Sequence, residues 1–334
     1  MSQLTYNPRI VIDGLENVHL ISATYSSKNN NTISSLNAVI DSSDFKESKL
    51  FGSKVEFFLN CGSEDGNPIF VGFVKQADST EEKINIKAVD VRGFLAQSDI
   101  NLTDENNYDG YSLGSFLKEY IDKHINNEYV TYINTNNIND TKPKVLLTGK
   151  RGNFNVMSLV NSMLKDSKDD SDVSRMLDYT IDVIGNSIFF KKKKRLDDYV
   201  SLSLSLHNGI QSFTYKERPV IFQAVYDDKK FVYGSNPSGP FTKKISTEKE
   251  WPAEKAEEVY KDIINKLDNN KEITVNSSVG HYVGLDSIIY LNVDDSNISG
   301  THRVVSKTIT FGKGAMSLSL GLNNTPAKIS EYLN

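Results

Sequence analysis

The sequence predicts a mainly β chain of the α+β class: two similar small antiparallel β-barrels, an α/β insertion between them, and one late helix. Three observations lead there. A pattern near the C-terminus repeats one already used near the N-terminus, and two β-rich regions flank a stretch of helical periodicity. A length of 334 residues also exceeds the needs of one small core and fits two or three domains. The expected boundaries are 1–97 for the first barrel, 98–196 for the insertion, 197–326 for the second barrel with a helix at about 252–268, and 327–334 for a polar tail.

The repeat begins with Gly284, the apolar run Ile288 to Leu291 and the acidic loop Asp294-Asp295-Ser296-Asn297. Gly300-Thr301-His302-Arg303-Val304-Val305 then runs to Phe311, a Gly312-Lys313-Gly314 turn and Ala315 to Leu320. The earlier copy is Gly52, Val55 to Leu59, an acidic Gly-containing loop, Ile69 to Val74, and Ile84 to Ala88. The order of strands and turns is shared although few identities are. Two copies of one antiparallel unit suggest a construction part rather than a catalytic pocket.

Element by element, 9–12, 18–25, 36–40, 54–59, 69–74 and 84–89 are β-rich and separated by polar turns. Short strands at such spacing indicate a sandwich or barrel. Leu113, Phe116, Leu117, Tyr120, Ile121 and Ile125 then recur at helical spacing. A second helix fits Phe154 to Leu164, with Asn153 as its N-cap. A hairpin of 177–184 and 187–191 turns at Gly185-Asn186, a pair suited to positive φ. Leu202, Leu204 and Leu206 alternate with serines, giving a strand with one buried face. Strands follow at 210–215, 220–226 and 230–233. Trp251 and Pro252 open the late helix, whose apolar face carries Val259, Ile263 and Leu267.

Composition narrows the function classes. A net charge of -5 argues against a general nucleic-acid binder, which would cluster Lys and Arg against phosphates. The N-terminal residues lack a secretory signal, and no apolar run approaches the ~18 residues of a membrane span. A single cysteine, Cys61, cannot form an internal disulfide; beside Gly62 at a strand end it reads as a structural thiol.

Nothing in the chain makes an enzyme: no catalytic, cofactor-binding or metal-binding residue is expected, and no cofactor. His19, His124, His207, His281 and His302 are scattered without ligand spacing. Leu147 to Gly152 has a Gly-Lys step but lacks the other residues of a phosphate loop. Gly312-Lys313-Gly314 reads as a hairpin turn. Asp169, Asp170 and Asp172 lack the glycine and glutamate of a calcium loop; with Asp294 and Asp295 they read as solvated loop acids. The run Lys191-Lys192-Lys193-Lys194-Arg195 reads as a solvated strand end or as a contact for an acidic partner.

Three stretches, in order along the chain, resemble the phage tail and baseplate hub proteins, including the late control protein D family and the N-terminal hub part of VgrG. They are Ile84 to Asp90, a strand ending in an Asp before an insertion; Gly152 to Val160 with the hairpin of 179–191; and 273–275 with 284–320. Relatives often carry a His after the position of Val305, where this chain has Lys307, Thr308 and Thr310. With no room for a spike or lytic domain after the second barrel, a VgrG-like fusion is not expected and a stand-alone hub stays open. It implies a homotrimer whose six similar units match a hexameric tail tube on one side and a threefold spike or tip on the other. Tail tube, spike or tip, tape measure and other baseplate proteins would be its partners. It would have no membrane anchor and no specific nucleic-acid binding. It would reside in the virion, at the tail tip or baseplate, after synthesis in the host cytoplasm.

Two other classes compete. A receptor- or glycan-binding β-rich virion protein would display clustered aromatics on one sheet face. A cell-wall hydrolase would need paired carboxylates at a set separation, for which Glu56 and Asp90 are available but unselected.

Overall fold

A computed structural model describes residues 6–13, 15, 18–28, 32–41, 50–59, 67–80, 82–103, 108, 110–126, 133–138, 151–166, 179–192, 199–217, 221–226, 229–233, 242–246, 271–294 and 298–322. The expected helix at 252–268 lies outside the described residues.

The first region supplies β1 (Arg9–Ile12), β2 (Leu20–Lys28), β3 (Ser35–Asp41), β4 (Lys54–Phe58), β5 (Phe70–Ser79) and β6 (Lys83–Val89). Their alternation decides which face is buried: in β6, Ile84, Ile86 and Ala88 point inward while Lys83, Asn85 and Lys87 face out.

The middle region holds α1 (Val91–Leu95), β7 (Asp99–Leu102), α2 (Leu113–Tyr120), β8 (Gly152–Asn155), α3 (Val156–Asp166), β9 (Tyr179–Ile184) and β10 (Ser187–Lys192). Ser112 caps α2 by accepting from the Ser115 N–H at 3.0 Å. The helix buries Leu113, Phe116, Leu117 and Tyr120, then widens into a π-helical turn over Ile121–Ile125. At α3 the cap is Asn155, which accepts from the Ser158 N–H at 3.1 Å. The expected cap, Asn153, lies two residues too early, because α3 begins at Val156 rather than at Phe154. Gly185 takes the expected positive φ, 58°. Leu95, Ile100, Phe116, Val160 and Phe190 meet in one hydrophobic cluster.

The last region supplies β11 (Val200–Ser205), β12 (Ile210–Glu217), β13 (Ile221–Tyr226), β14 (Lys229–Tyr233), β15 (Thr242–Ser246), β16 (Lys271–Ser277), β17 (Ile288–Asn292), β18 (Gly300–Gly312) and β19 (Ala315–Leu322). Here β13 to β15 form their own three-stranded sheet, apart from the rest.

The two expected closed barrels are not found. Twelve strands form one open sheet, along the path β1-β4-β5-β6-β3-β2-β18-β19-β16-β12, with β17 beside β18 and β11 beside β17. Among the described strands neither β1 with β2 nor β11 with β12 closes a ring; β2 instead pairs with β18 and splices the two regions together. Short alternating strands suit an open sheet and a barrel equally well, and closure depends on distant edges that no local pattern encodes. The arrangement is also not wholly antiparallel, since β11 runs parallel to β17. One core serves both regions, joining Ile12, Leu36, Phe57 and Ile86 to Leu204, Val275, Leu291 and Leu320.

The repeat goes further than the sequence shows. The first half is ordered β1-β4-β5-β6-β3-β2 and the second β11-β17-β18-β19-β16-β12. Irregularities match as well. The β5–β6 ladder slips between Val74 and Gln76, and β18–β19 slips between Val304 and Ser306. The β2–β3 ladder slips between Leu20 and Ser22, and β12–β16 between Ile210 and Ser212. Gly52 N–H donates to the Val74 carbonyl at 2.9 Å, as Asp286 N–H does to Val304 at 2.9 Å. Both take positive φ, 83° and 62°. The structural counterpart of Gly52 is therefore Asp286, not the Gly284 aligned by sequence. In this register Ser22, Thr24 and Tyr25 of β2 fall on Ser212, Thr214 and Tyr215 of β12.

Candidate functional site

The splice between the halves, and the polar groups anchored around it, is the candidate site. Strand β18 is long because it serves two neighbours in succession. Its first residues pair with β17, from Gly300↔Leu291 to Arg303↔Ile288. Its later ones pair with β2, from Ser306↔Lys28 to Gly312↔Ser22. On the outer face Ser26 and Thr308 lie opposite each other, hydroxyls 3.4 Å apart. On the inner face Tyr25 and Ile309 are buried.

Lys307 points inward from β18 and is only 6 % exposed. Its ammonium donates to the carbonyls of His281 and, at 2.9 Å, Val283. Burial lowers its pKa to about 8. His281 lies beside it, its Nδ1 2.7 Å from the Tyr6 hydroxyl and its ring 4.5 Å from the Tyr6 ring. Burial first, then the Lys307 charge, lowers the His281 pKa to about 4. The imidazole is therefore neutral at pH 7.

A second anchor ties the sheet to the middle region. Asp90 follows β6 and caps α1, accepting from the Arg92 N–H at 3.0 Å. Its other oxygen accepts from Arg92 Nε at 2.9 Å and Nη2 at 2.6 Å, and from the Ser34 N–H at 3.1 Å. Arg92 Nη2 also donates to Ser34 Oγ at 2.6 Å, and Nη1 to the Ile181 carbonyl of β9 at 3.2 Å. Both ionised groups are buried, and each carries its own compensation. The Asp before the insertion is thus a strut, and periodicity gave no hint of its partner, Arg92, which reads locally as a helix residue.

The other sequence-selected residues are not brought together. His302 Nε2 bonds the Ile298 carbonyl at 2.7 Å, and the His124 ring lies 4.8 Å from that of Tyr120. His19 and His207 are exposed. Glu56 is bridged to Lys54 at 2.8 Å, while Asp90 is committed to Arg92. Gly312-Lys313-Gly314 is a two-residue hairpin, with φ of 51° at Lys313 and 72° at Gly314. Asp294 is exposed in its loop. Cys61, Lys150, Asp169, Asp170, Asp172, Trp251, Asp295 and 193–195 lie outside the described residues. Among the described residues no group of three or more His, Cys, Asp or Glu is placed to hold a metal ion. No described helix is long and apolar enough to cross a membrane.

No protein-family model and no curated protein matches the sequence. Solved structures do match. A 43 kDa tail protein of prophage MuSo2 from Shewanella oneidensis aligns with a TM-score of 0.64 at 10% identity, over 94% of this chain and 97% of that one. A tail protein from Neisseria meningitidis MC58 aligns at 0.62 and 13% identity, over 95% and 96%. The E. coli c3393 protein, a type VI secretion component described as similar to the T4 tail proteins gp27 and gp5, aligns at 0.56 and 10% identity, over 94% and 76%. The chain therefore has the fold of these phage tail proteins, in line with the tail-protein resemblance of its sequence.

Proposed function

We propose that the chain is a structural tail hub of a tailed phage or related injection system. In this reading it forms a homotrimeric ring that joins a hexameric tail tube to a threefold spike or tip. The observation that carries it is the doubled six-strand unit, matched down to its register slips. Two equivalent units per chain, in three chains, present six comparable surfaces to a sixfold tube while the whole keeps threefold symmetry. The likeness to tail proteins along nearly their full length supports the same reading.

The work of such a protein is shape, and its functional surfaces are strand edges and loops rather than a pocket. Its partners are further copies of itself, the tube, the spike or tip, the tape measure and other baseplate proteins, and it resides in the virion. Light scattering on the purified chain, alone and with its neighbouring virion proteins, tests this. Three copies per particle, with threefold averages by electron microscopy, is the expected result; one copy per assembled particle ends the hub reading.

A further inference from the structure

Tyr6, His281 and Lys307 join three distant parts of the chain: the residues just ahead of β1, the turn after β16, and β18. The turn is closed by the Val283 N–H, which donates to the Gly280 carbonyl at 2.9 Å, with Gly280 at a φ of 90°. Lys307 holds this turn through two of its carbonyls, and Tyr6 meets it through the His281 ring.

His281 is only 3% exposed. Its Nδ1 shares a hydrogen bond with the Tyr6 hydroxyl, while Nε2 is buried with no hydrogen-bond partner among the described residues. A hydroxyl can give or take a hydrogen bond. A neutral ring can therefore carry its proton on Nδ1, donate it to Tyr6 and leave Nε2 as a bare lone pair. An imidazolium has no such arrangement. It would bury an N–H without an acceptor and place a second positive charge near the Lys307 ammonium.

We propose that Tyr6 and His281 form an acid-operated clasp, which holds residues 6–7 on the turn of the second half at neutral pH and lets them go when the imidazole takes up a proton. The groups that face the ring set the sign. Tyr6 offers an uncharged hydroxyl from ahead of β1, and Lys307 a cation from β18. The buried Asp182 carboxylate of β9 acts on Lys307, and Asp286, further along the chain, is paired with Arg303 at 3.2 Å. Among the described residues no carboxylate is bonded to the ring to steady its charge.

The clasped ring takes a proton only near pH 4, whereas a released one titrates at the ordinary 6.5. Release therefore gains up to tenfold for each pH unit between these values, roughly 300-fold in all. Strand β1 itself stays in place, since Ile10 and Ile12 are buried in the common core. The opening is thus local, of the kind that few contacts oppose. The clasp does not depend on the hub reading.

The test puts a pH-insensitive fluorophore on Asn7→Cys, an exposed position, in full-length chain carrying Cys61→Ser. Each variant is first checked for wild-type melting behaviour at neutral pH. Anisotropy and circular dichroism are then followed together from about pH 8 down to about pH 4. Anisotropy should fall in one step between pH 6.5 and about 4 while circular dichroism holds. His281→Gln, which has no proton to take up, should remove the step. Tyr6→Phe, which loses only the hydroxyl, should lower the anisotropy already at neutral pH.

A flat anisotropy in the folded chain overturns the inference, and so does the same step in His281→Gln. Loss of circular dichroism in parallel with the anisotropy also overturns it, because a clasp opens without unfolding the sheet. Should His281→Gln fold poorly, Tyr6→Phe decides: unchanged anisotropy at neutral pH would mean that the hydroxyl holds nothing.

Discussion

The two halves of the sheet share a frame and differ at its edges. Ile10 in β1 and Leu204 in β11 occupy equivalent places, opposite Phe57 and Leu291, and both are buried. Yet β1 runs antiparallel to its neighbour and β11 parallel. Ala77, the counterpart of Lys307, is exposed, whereas Lys307 is buried under the 281–283 turn. The edge beyond Val304 is filled by β2, whereas among the described strands β5 beyond Val74 pairs with β6 alone. The lesson is that core and register are held in common, while the halves diverge where strands meet something outside their own unit.

The largest effects should fall on what the halves share. Leu204→Asp and Ile10→Asp each bury a charge in the common core and should cost roughly 4 kcal/mol or more. Urea unfolding would check this. A soluble, fully stable Leu204→Asp protein would show that the parallel strand is peripheral and the equivalence false.

Next comes the strut that joins sheet to middle region. Arg92→Met strands the buried Asp90 carboxylate, for an expected loss of about 3–5 kcal/mol. Asp90→Asn with Arg92→Met should lose less than the single change, because no lone charge remains. A double mutant cycle in denaturant measures the difference.

Lys307 has Ala77 as its counterpart in the first half, so the titration of Lys307 and His281 belongs to the second half and pH tests it there. A neutral His281 in the folded state against an ordinary His in the unfolded chain means that the unfolded chain binds the extra proton between pH 6.5 and about 4. Stability should therefore fall as pH drops through that window, by at most about 3 kcal/mol. Lys307 works at the other end. Its folded pKa of about 8 lies below the ordinary 10.5, so its penalty is complete below pH 8 and disappears as pH rises to 10.5. Unfolding midpoints against pH should show both slopes. His281→Gln should flatten the acidic one and Lys307→Met the basic one; unchanged slopes would mean other groups control them.

The smallest effect tests the turn equivalence. Gly52 has φ of 83° with open space where a Cβ would go, and its counterpart Asp286 holds a positive φ with a real side chain. Gly52→Ala should cost about 1 kcal/mol through backbone strain alone, and Gly52→Asn less, since Asn tolerates this region. Equal melting-temperature losses for the two would argue that the turn is read differently in the two halves.

Local chemistry was legible in the sequence wherever it was local. Alternation at 83–89, helical spacing at 113–125, Gly185-Asn186 and Gly312-Lys313-Gly314 each dictate an element through neighbouring residues, and the structure has those elements. The repeat could be read in outline, but its alignment slipped by two residues because Gly52 and Asp286 solve the same turn with different side chains. Leu206, taken for a buried position, is 48% exposed, because β11 ends at Ser205 and the chain turns there. The short strands β8 and β15 carry no alternation strong enough to announce themselves, and β7 alternates over only four residues.

What the sequence determined by itself was the inventory: β units used twice, helical matter between them, and a likeness to tail hubs. What only the tertiary structure decided was how those units close. Strand pairing is a contract between distant edges, and peptide groups are alike along every strand, so nothing local at Ser22 to Lys28 says that their partner is Ser306 to Gly312 rather than a strand of their own unit. The same holds for the strut, since Arg92 meets the Ile181 carbonyl only after the middle region has folded back on the sheet. It holds also for Lys307, whose burial depends on the 281–283 turn lying over it.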